Sequence, residues 1–292
     1  MPVSAAARCS RLPAVVCLRR WPRPARRACL AEPSRRSPRG RWWAPVLAVL
    51  LFLAGWEGAV RALQIPHYLL PGPGLVLQTL FDNFGSLAAS WWVTISITAL
   101  ALLLATVLGV ALAALFALSP WLEWSLTPFA VVLQVTPIIA VAPLIMILTD
   151  SATATVLICA WIVAFFPVLA STLAGLRSAD RGLAELFRLY RASRWQTLRF
   201  LLVPSALPYF LAGMKVAGGL ALIGAVVAEF TAGAAGRNTG LASRILEAAF
   251  RTETPKMFAA LVLVMFTGVL IHLCFEWLSR RLLRGWHGSE PS

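Results

Sequence analysis

Between Glu185 and Pro208 the chain reads ELFRLYRASRWQTLRFLLVPSALP, with arginines at 188, 191, 194 and 199, Arg181 just ahead and Glu185 as its one carboxylate. Guanidinium groups set this way meet anionic lipid or face a partner; they supply no nucleophile and no metal ligand. Elsewhere polar groups stand inside apolar runs: Gln134 and Thr136 in one, beside Pro137 whose missing N–H frees a backbone carbonyl, and Lys215 and Glu229 in another. Such groups are costly at membrane depth, so each is a candidate for a solute pathway. His67, His272 and His287 are scattered, and the five cysteines form no CxxC or Cys/His cluster, so no metal site and no disulfide framework is expected. No GxxxxGK[ST] occurs, and with it goes the phosphate cradle. The glycines of AGAAGRNTG (233, 236, 240) read as a flexible turn. These residues point to docking and passage rather than catalysis, with no catalytic residue and no cofactor bound by the chain itself.

The elements that must position them are membrane helices. The chain has 292 residues, 59% of them apolar and 13% charged, with mean hydropathy +0.78. Its apolar runs are continuous rather than alternating, which selects helices over a barrel. Crossing about 30 Å of hydrocarbon takes roughly 20 residues of helix. About six spans follow, near 43–62, 90–118, 125–148, 153–174, 208–230 and 257–279, so the fold class is an all-α polytopic membrane protein. Glu57 and Arg61 sit four apart and pair on one face of the first. The third carries Pro128, Pro137 and Pro143. Small residues, Gly109, Ala113, Gly218, Gly219 and Gly224, suit close helix packing. Lys215 snorkels to the nearer surface, and Asp150 caps a short solvated loop.

Residues 1–41 hold eleven arginines against Glu32 alone. A tail this basic could bind nucleic acid, but no aromatic or folded platform accompanies it, so none is expected; it reads as a disordered cytoplasmic arm or as residues upstream of the true start. With the N-terminus inside, basic residues divide twenty inside to five outside, and nine to five without the tail. Both termini are then cytoplasmic, and so is the arginine-rich loop of 177–205. Within it Leu183, Leu186, Phe187 and Tyr190 recur at helical spacing. Ser193 and Gln196 fit a capping box that starts a second short helix, Pro204 ends that helix, and Pro208 suits the first turn of the fifth span. An interfacial element that only meets lipid is one reading of this helix–bend–helix; a docking surface for a cytoplasmic partner is the other.

The spacing from Glu185 through Arg191 to Leu201, Val203 and Pro204 resembles the EAA loop of bacterial ABC importer permeases. The continuation ASRWQ…LPYFLAGMKVAGG…VVAEF is similar to the nitrate, sulfonate, taurine and bicarbonate branch, and RLYRASRWQ to permeases for the pyrimidine precursor of thiamine. The likeness runs over about 66–285. It implies a type I ABC importer permease fold in the bacterial inner membrane, divided as a 1–41 tail, a first helix and outer loop over 42–88, a permease core over 89–283 and a 284–292 tail. It also implies partners: two copies of a cytoplasmic ATPase that holds the ATP, a second permease subunit in a homodimer, a periplasmic binding protein that delivers the solute, and lipid. Carried over, Glu185, Arg188, Arg191, Ser193, Arg194 and Pro204 form the ATPase-coupling loop, with Leu186, Phe187 and Tyr190 packing back on the spans, and Glu229 matches the family's recurrent acid, which gates the pathway, contacts the delivered solute or sits at the water interface. Gln134, Thr136 and Pro137, candidates on their own chemistry, either line a wet pathway or serve helix packing with an internal hydrogen bond. Leu186 and Phe187 replace the family's alanines, and Arg191 replaces a glycine that would bend cheaply into the left-handed region, so this loop is expected to bend otherwise. An ion-coupled carrier is the alternative, but no half-repeat is visible and Glu57 and Glu229 lie near span ends. An intramembrane enzyme would need a nucleophile or metal ligands at depth.

Overall fold

The computed structural model describes residues 43–232 and 239–283. The 1–41 and 284–292 tails, Gly233 and Gly236 lie outside the described residues. The chain divides into two bodies at Ala54/Gly55. Helix α1 (Trp43–Ala62) starts in the first, and the other described elements belong to the second.

All regular structure among the described residues is helical. After α1 come α2 (Pro73–Asp82), α3 (Phe84–Leu118), α4 (Pro120–Val135), α5 (Ile138–Thr149), α6 (Ala152–Arg177), α7 (Arg181–Leu189) and α8 (Arg194–Thr197). A π-helical turn (Leu198–Leu202) leads into α9 (Val203–Ala232), followed by α10 (Leu241–Phe250) and α11 (Thr254–Leu283). Helices α3, α6, α11 and the run from α8 through α9 are each long and apolar enough to cross a bilayer, and α4 with α5 makes a fifth crossing if the pair is one span. Helix α1 has the length expected of the first span, 20 residues, about 30 Å at 1.5 Å per residue.

Two prolines act differently from expectation. The third span is broken, α4 and α5 meeting at 101°. Pro137 has no N–H to donate and pushes Thr136 out of the helical region, to φ −64°, ψ 122°. Pro204, expected to end the loop's second helix, lies instead in the first turn of α9, and the helix runs through from Arg194 to Ala232. The π turn makes this possible. Val203 N–H reaches Leu198 O, five residues back, and the widened turn leaves room for a proline ring where an α-helical turn would crowd it.

The core is built from small side chains, as close helix approach in lipid requires. Helices α3, α6 and α9 meet over Leu102, Ala105, Phe116, Ala164, Val168, Met214 and Ala217. Toward the end of α9 away from the α7–α8 loop, α5 joins them over Ile97, Ala101, Ala142, Ile145, Ala160, Ala225 and Ala228. On that far side α2, α3, α10 and α11 close a third cluster around Val76, Leu87, Leu241, Ala260 and Leu263. Gly175 shows how tight the α6–α9 seam is: a Cβ there would lie 2.8 Å from the Ala206 Cα. Outside this core the surface is apolar, as with Leu100, Leu103, Val107 and Leu108 of α3, the pattern of a helix that faces lipid.

Candidate coupling loop and pathway residues

The loop is a capped helix, a tight bend and a second capped helix. Asp180 accepts the Leu183 N–H at 3.0 Å and starts α7. At its other end Ala192 N–H donates to Phe187 O at 2.9 Å and Arg191 N–H to Arg188 O at 3.0 Å. These are the two bonds of a Schellman motif, and they place Arg191 where the chain must turn left-handed. Arg191 does so, with φ 51°. The expectation that arginine would bend otherwise fails: two backbone hydrogen bonds outweigh the steric penalty on its Cβ. The capping box is present, Gln196 N–H donating to Ser193 Oγ at 3.2 Å and Ser193 N–H to Gln196 Oε1 at 2.7 Å.

This geometry sorts the loop residues. The bend projects Leu189 and Tyr190, each 80% exposed, together with Arg191. Tyr190 therefore does not pack back onto the spans; the half-buried Phe187 comes nearer to doing so, and Leu186 is largely exposed. Glu185 is exposed on α7. Arg188 and Arg194 line a cavity of about 360 Å³ together with Leu118, Ala184, Thr197 and Leu202, and Arg194 Nη1 donates to Leu118 O at the end of α3. Ser193 is spent on its cap, and Pro204 is spent on the entry to α9.

Among the pathway candidates, Gln134, Thr136 and Pro137 occupy the α4–α5 break. Gln134 and Pro137 are exposed, while the Thr136 hydroxyl donates to Val132 O at 2.6 Å. The last carbonyls of α4 have no intrahelical donor, as at any helix end. Glu229 lies elsewhere. Only 4% exposed, it accepts the Ala242 and Ser243 N–H groups at 2.9 and 3.4 Å, capping the first turn of α10. Thr94 completes the clasp, its hydroxyl donating to Glu229 at 3.5 Å and accepting the Leu241 N–H at 2.8 Å. A Cβ on Gly240 would meet Glu229 Oε1 at 1.9 Å, so only glycine lets the carboxylate in. No hydrogen bond joins Glu229 to the break among the described residues.

Several pairings were missed. The Lys215 ammonium bonds the Glu276 carboxylate of α11, which also holds Arg280 at 2.8 Å. Lys215 is therefore paired rather than simply snorkelling, and the Glu276–Arg280 spacing of four was the available signal. Arg177 bonds Glu123 across α6 and α4. On the far side Arg244 reaches Ser90 at 3.0 Å and Glu247 at 2.9 Å. That hydrogen bond, with the charge of Arg251 added, holds the Glu247 carboxyl below its ordinary range. Glu57 and Arg61 pair at 2.7 Å as expected. Asp150 is the exposed left-handed cap of α5. Groups of three or more potential metal ligands do not occur among the described residues.

Residues 105–284 match the family model of the binding-protein-dependent transport system inner membrane component. The chain is 33% identical to the riboflavin transport system permease protein RibX of Chloroflexus aurantiacus, over 88% of this chain and 97% of that protein. It is 32% identical to the formylaminopyrimidine transport permease protein ThiX of Halalkalibacterium halodurans, over 82% of this chain and 94% of that protein. The fold is shared with the inward-facing methionine ABC transporter MetNI, at TM-score 0.58 and 17% identity over 67% of this chain and 95% of that one. The chain thus belongs to the inner membrane components of binding-protein-dependent transport systems, as a multi-pass permease subunit of an ATP-driven importer that leaves ATP hydrolysis to a separate subunit.

Proposed function

We propose that two copies of this chain form the solute pathway of a bacterial inner-membrane importer, with the 177–205 loop in the cytoplasm on two ATPase subunits and α10 on the side of the periplasmic binding protein. The observation that carries the reading is the bend at Arg191. A small apolar knob, Leu189 and Tyr190, stands out beside a guanidinium on a rigid, doubly capped support, which is the form of a contact that must transmit motion. Glu185 faces solvent on the same helix and belongs to that contact. The continuous helix from Arg194 to Ala232 gives the loop a stiff lever into the core, because a displacement at α8 is carried along α9 without a joint.

The α4–α5 break supplies the pathway's polar groups: Gln134, Thr136 and the carbonyls freed beside Pro137. Glu229 acts as a clasp that ties α9 to α3 and α10 on the outer side, so it positions the outer end of the path rather than touching solute. Gln134 and Thr136 are uncharged, and the relatives RibX and ThiX carry riboflavin and a formylaminopyrimidine in their names. Together these favour a flat heteroaromatic vitamin or vitamin precursor over a nitrate-, sulfonate- or taurine-like anion.

The test is affinity purification of the tagged chain from native membranes in mild detergent, beside a Leu189→Ser, Tyr190→Ser variant. A P-loop ATPase identified by mass spectrometry with the wild type, and lost from the equally stable variant, is the expected result. A stable wild type that brings down no such ATPase sinks the reading and moves an ion-coupled carrier to first place.

A further inference from the structure

Arg188 and Arg194 are not part of the exposed knob. They face a cavity of about 360 Å³ walled by Ala117, Leu118, Ala184, Ala192 and Leu202, with Thr197 as its third polar side chain. Neither arginine has a carboxylate partner within 4.0 Å among the described residues, although seven such ion pairs occur elsewhere. One bond from Arg194 to the Leu118 carbonyl orients that guanidinium and leaves its other N–H groups free. The result is a pocket with mostly apolar walls, lined by two guanidinium groups that no carboxylate neutralises.

Its depth says what fills it. Helix α3 carries the exposed Trp92 near one end and Leu118 at the other. The 26 residue steps from Trp92 to Leu118 span about 39 Å at 1.5 Å per residue, close to the roughly 40–45 Å of a bilayer with its headgroups. Four exposed tryptophans belong to the elements that meet this end: Trp121 and Trp124 in the first turns of α4, Trp195 beside Arg194, and Trp277 next to the Glu276 that pairs with Lys215, where Arg281 stacks over Trp277 at 5.2 Å. Tryptophans mark the headgroup level. Two of them lie three and six residues after Leu118 and a third adjoins Arg194, so the pocket opens within the headgroup layer.

We infer that this pocket binds the phosphodiester of an anionic phospholipid of the cytoplasmic leaflet, between Arg188 and Arg194, with the glycerol portion against Leu118 and Leu202. A lipid held there sits under the base of the coupling loop, so the anionic lipid content of the membrane sets how firmly α7 and α8 are seated against α3. This depends on the loop's cytoplasmic side and not on which protein meets the knob.

The full chain in mild detergent is titrated with phosphatidylglycerol and with phosphatidylcholine of the same acyl chains, and bound lipid is counted by native mass spectrometry. Two arginines at a membrane surface predict about a tenfold or greater preference for phosphatidylglycerol at one saturable site. Arg188→Gln with Arg194→Gln removes the preference. Ala184→Leu, which fills the cavity and keeps both charges, removes it too. Arg280→Gln with Arg281→Gln, an equal charge change at the end of α11, leaves it in place. A preference that survives the first pair, or falls as much with the second, overturns the proposal in favour of diffuse surface charge. Displacement of the lipid by an equal concentration of glycerol 3-phosphate overturns it in favour of a soluble phosphate. ATPase co-purification is scored on the same samples: if the first pair loses the ATPase while the wild type shows no lipid preference, these arginines serve the protein partner, and the inference fails while the importer reading stands.

Discussion

At Arg191 the backbone demands a conformation that the side chain resists. A residue with a Cβ pays on the order of 1–2 kcal/mol for the left-handed region, and glycine pays almost nothing. Two Schellman hydrogen bonds hold the bend in place regardless. Arg191→Gly is therefore expected to slow hydrogen exchange at the Arg191 and Ala192 amides by a few-fold, after allowance for glycine's greater freedom when unfolded. Arg191→Val, β-branched at positive φ, is expected to speed it by roughly 5- to 30-fold, the equivalent of about 1–2 kcal/mol. Exchange that is identical in the valine variant and the wild type would mean that the chain does not turn left-handed there. The charged groups within the spans follow a single rule at this scale. Glu229 meets backbone N–H groups and Lys215 meets Glu276, since an unpaired charge at such depth is too costly to keep.

Between elements, the α6–α9 seam is the least forgiving contact. A Cβ added at Gly175 would lie 2.8 Å from the Ala206 Cα and 2.9 Å from its carbonyl oxygen, and neither can swing aside as a side chain would. Gly175→Ala is expected to destabilise by about 1–3 kcal/mol through overpacking. Gly219→Ala on α9, with nothing within 4 Å of the added Cβ, is expected to be neutral or to stabilise by up to about 1 kcal/mol through helix propensity. Thermal unfolding of both in detergent checks this, and equal melting temperatures would refute the close seam. Five of the elements were legible because a long apolar run has only one conformation in lipid. The Ser193–Gln196 box was legible because both partners are local. Two things were not. The break at Pro137 and the passage through Pro204 have the same local cause, a missing N–H, and only the surrounding packing decides whether a proline bends a helix or is absorbed by a wider turn. The Glu229 clasp was hidden for another reason: its partners, Thr94 and the α10 amides, lie 135 and 13 residues away, and no periodicity records a contact across such distances.

For the molecule as a whole, the described residues of one chain offer four helices long and apolar enough to cross a bilayer, or five with the bent pair, and the α4–α5 pair leaves Phe129, Val132, Val135, Ile139 and Ile147 exposed. Lipid could cover that face, but lipid offers nothing to Gln134, Thr136 or the free carbonyls of α4, which hydrocarbon penalises and a wet path solvates. A second copy set against this face would enclose those groups between two identical walls, as a two-fold pair requires. In a chain whose Cys9, Cys17, Cys29 and Cys274 are replaced by serine, with the buried Cys159 left in place, Gln134→Cys is expected to give a covalent dimer under mild oxidation in native membranes. Leu104→Cys, on the lipid-facing side of α3, is expected to stay monomeric under the same conditions. Two differently tagged copies should also co-purify. Cross-linking at 104 but not at 134 would turn the dimer around and place α4–α5 against lipid. Failure of the two tags to co-purify would replace the second copy with a different permease subunit, and the polar groups at the break would then be matched by residues that this chain does not encode.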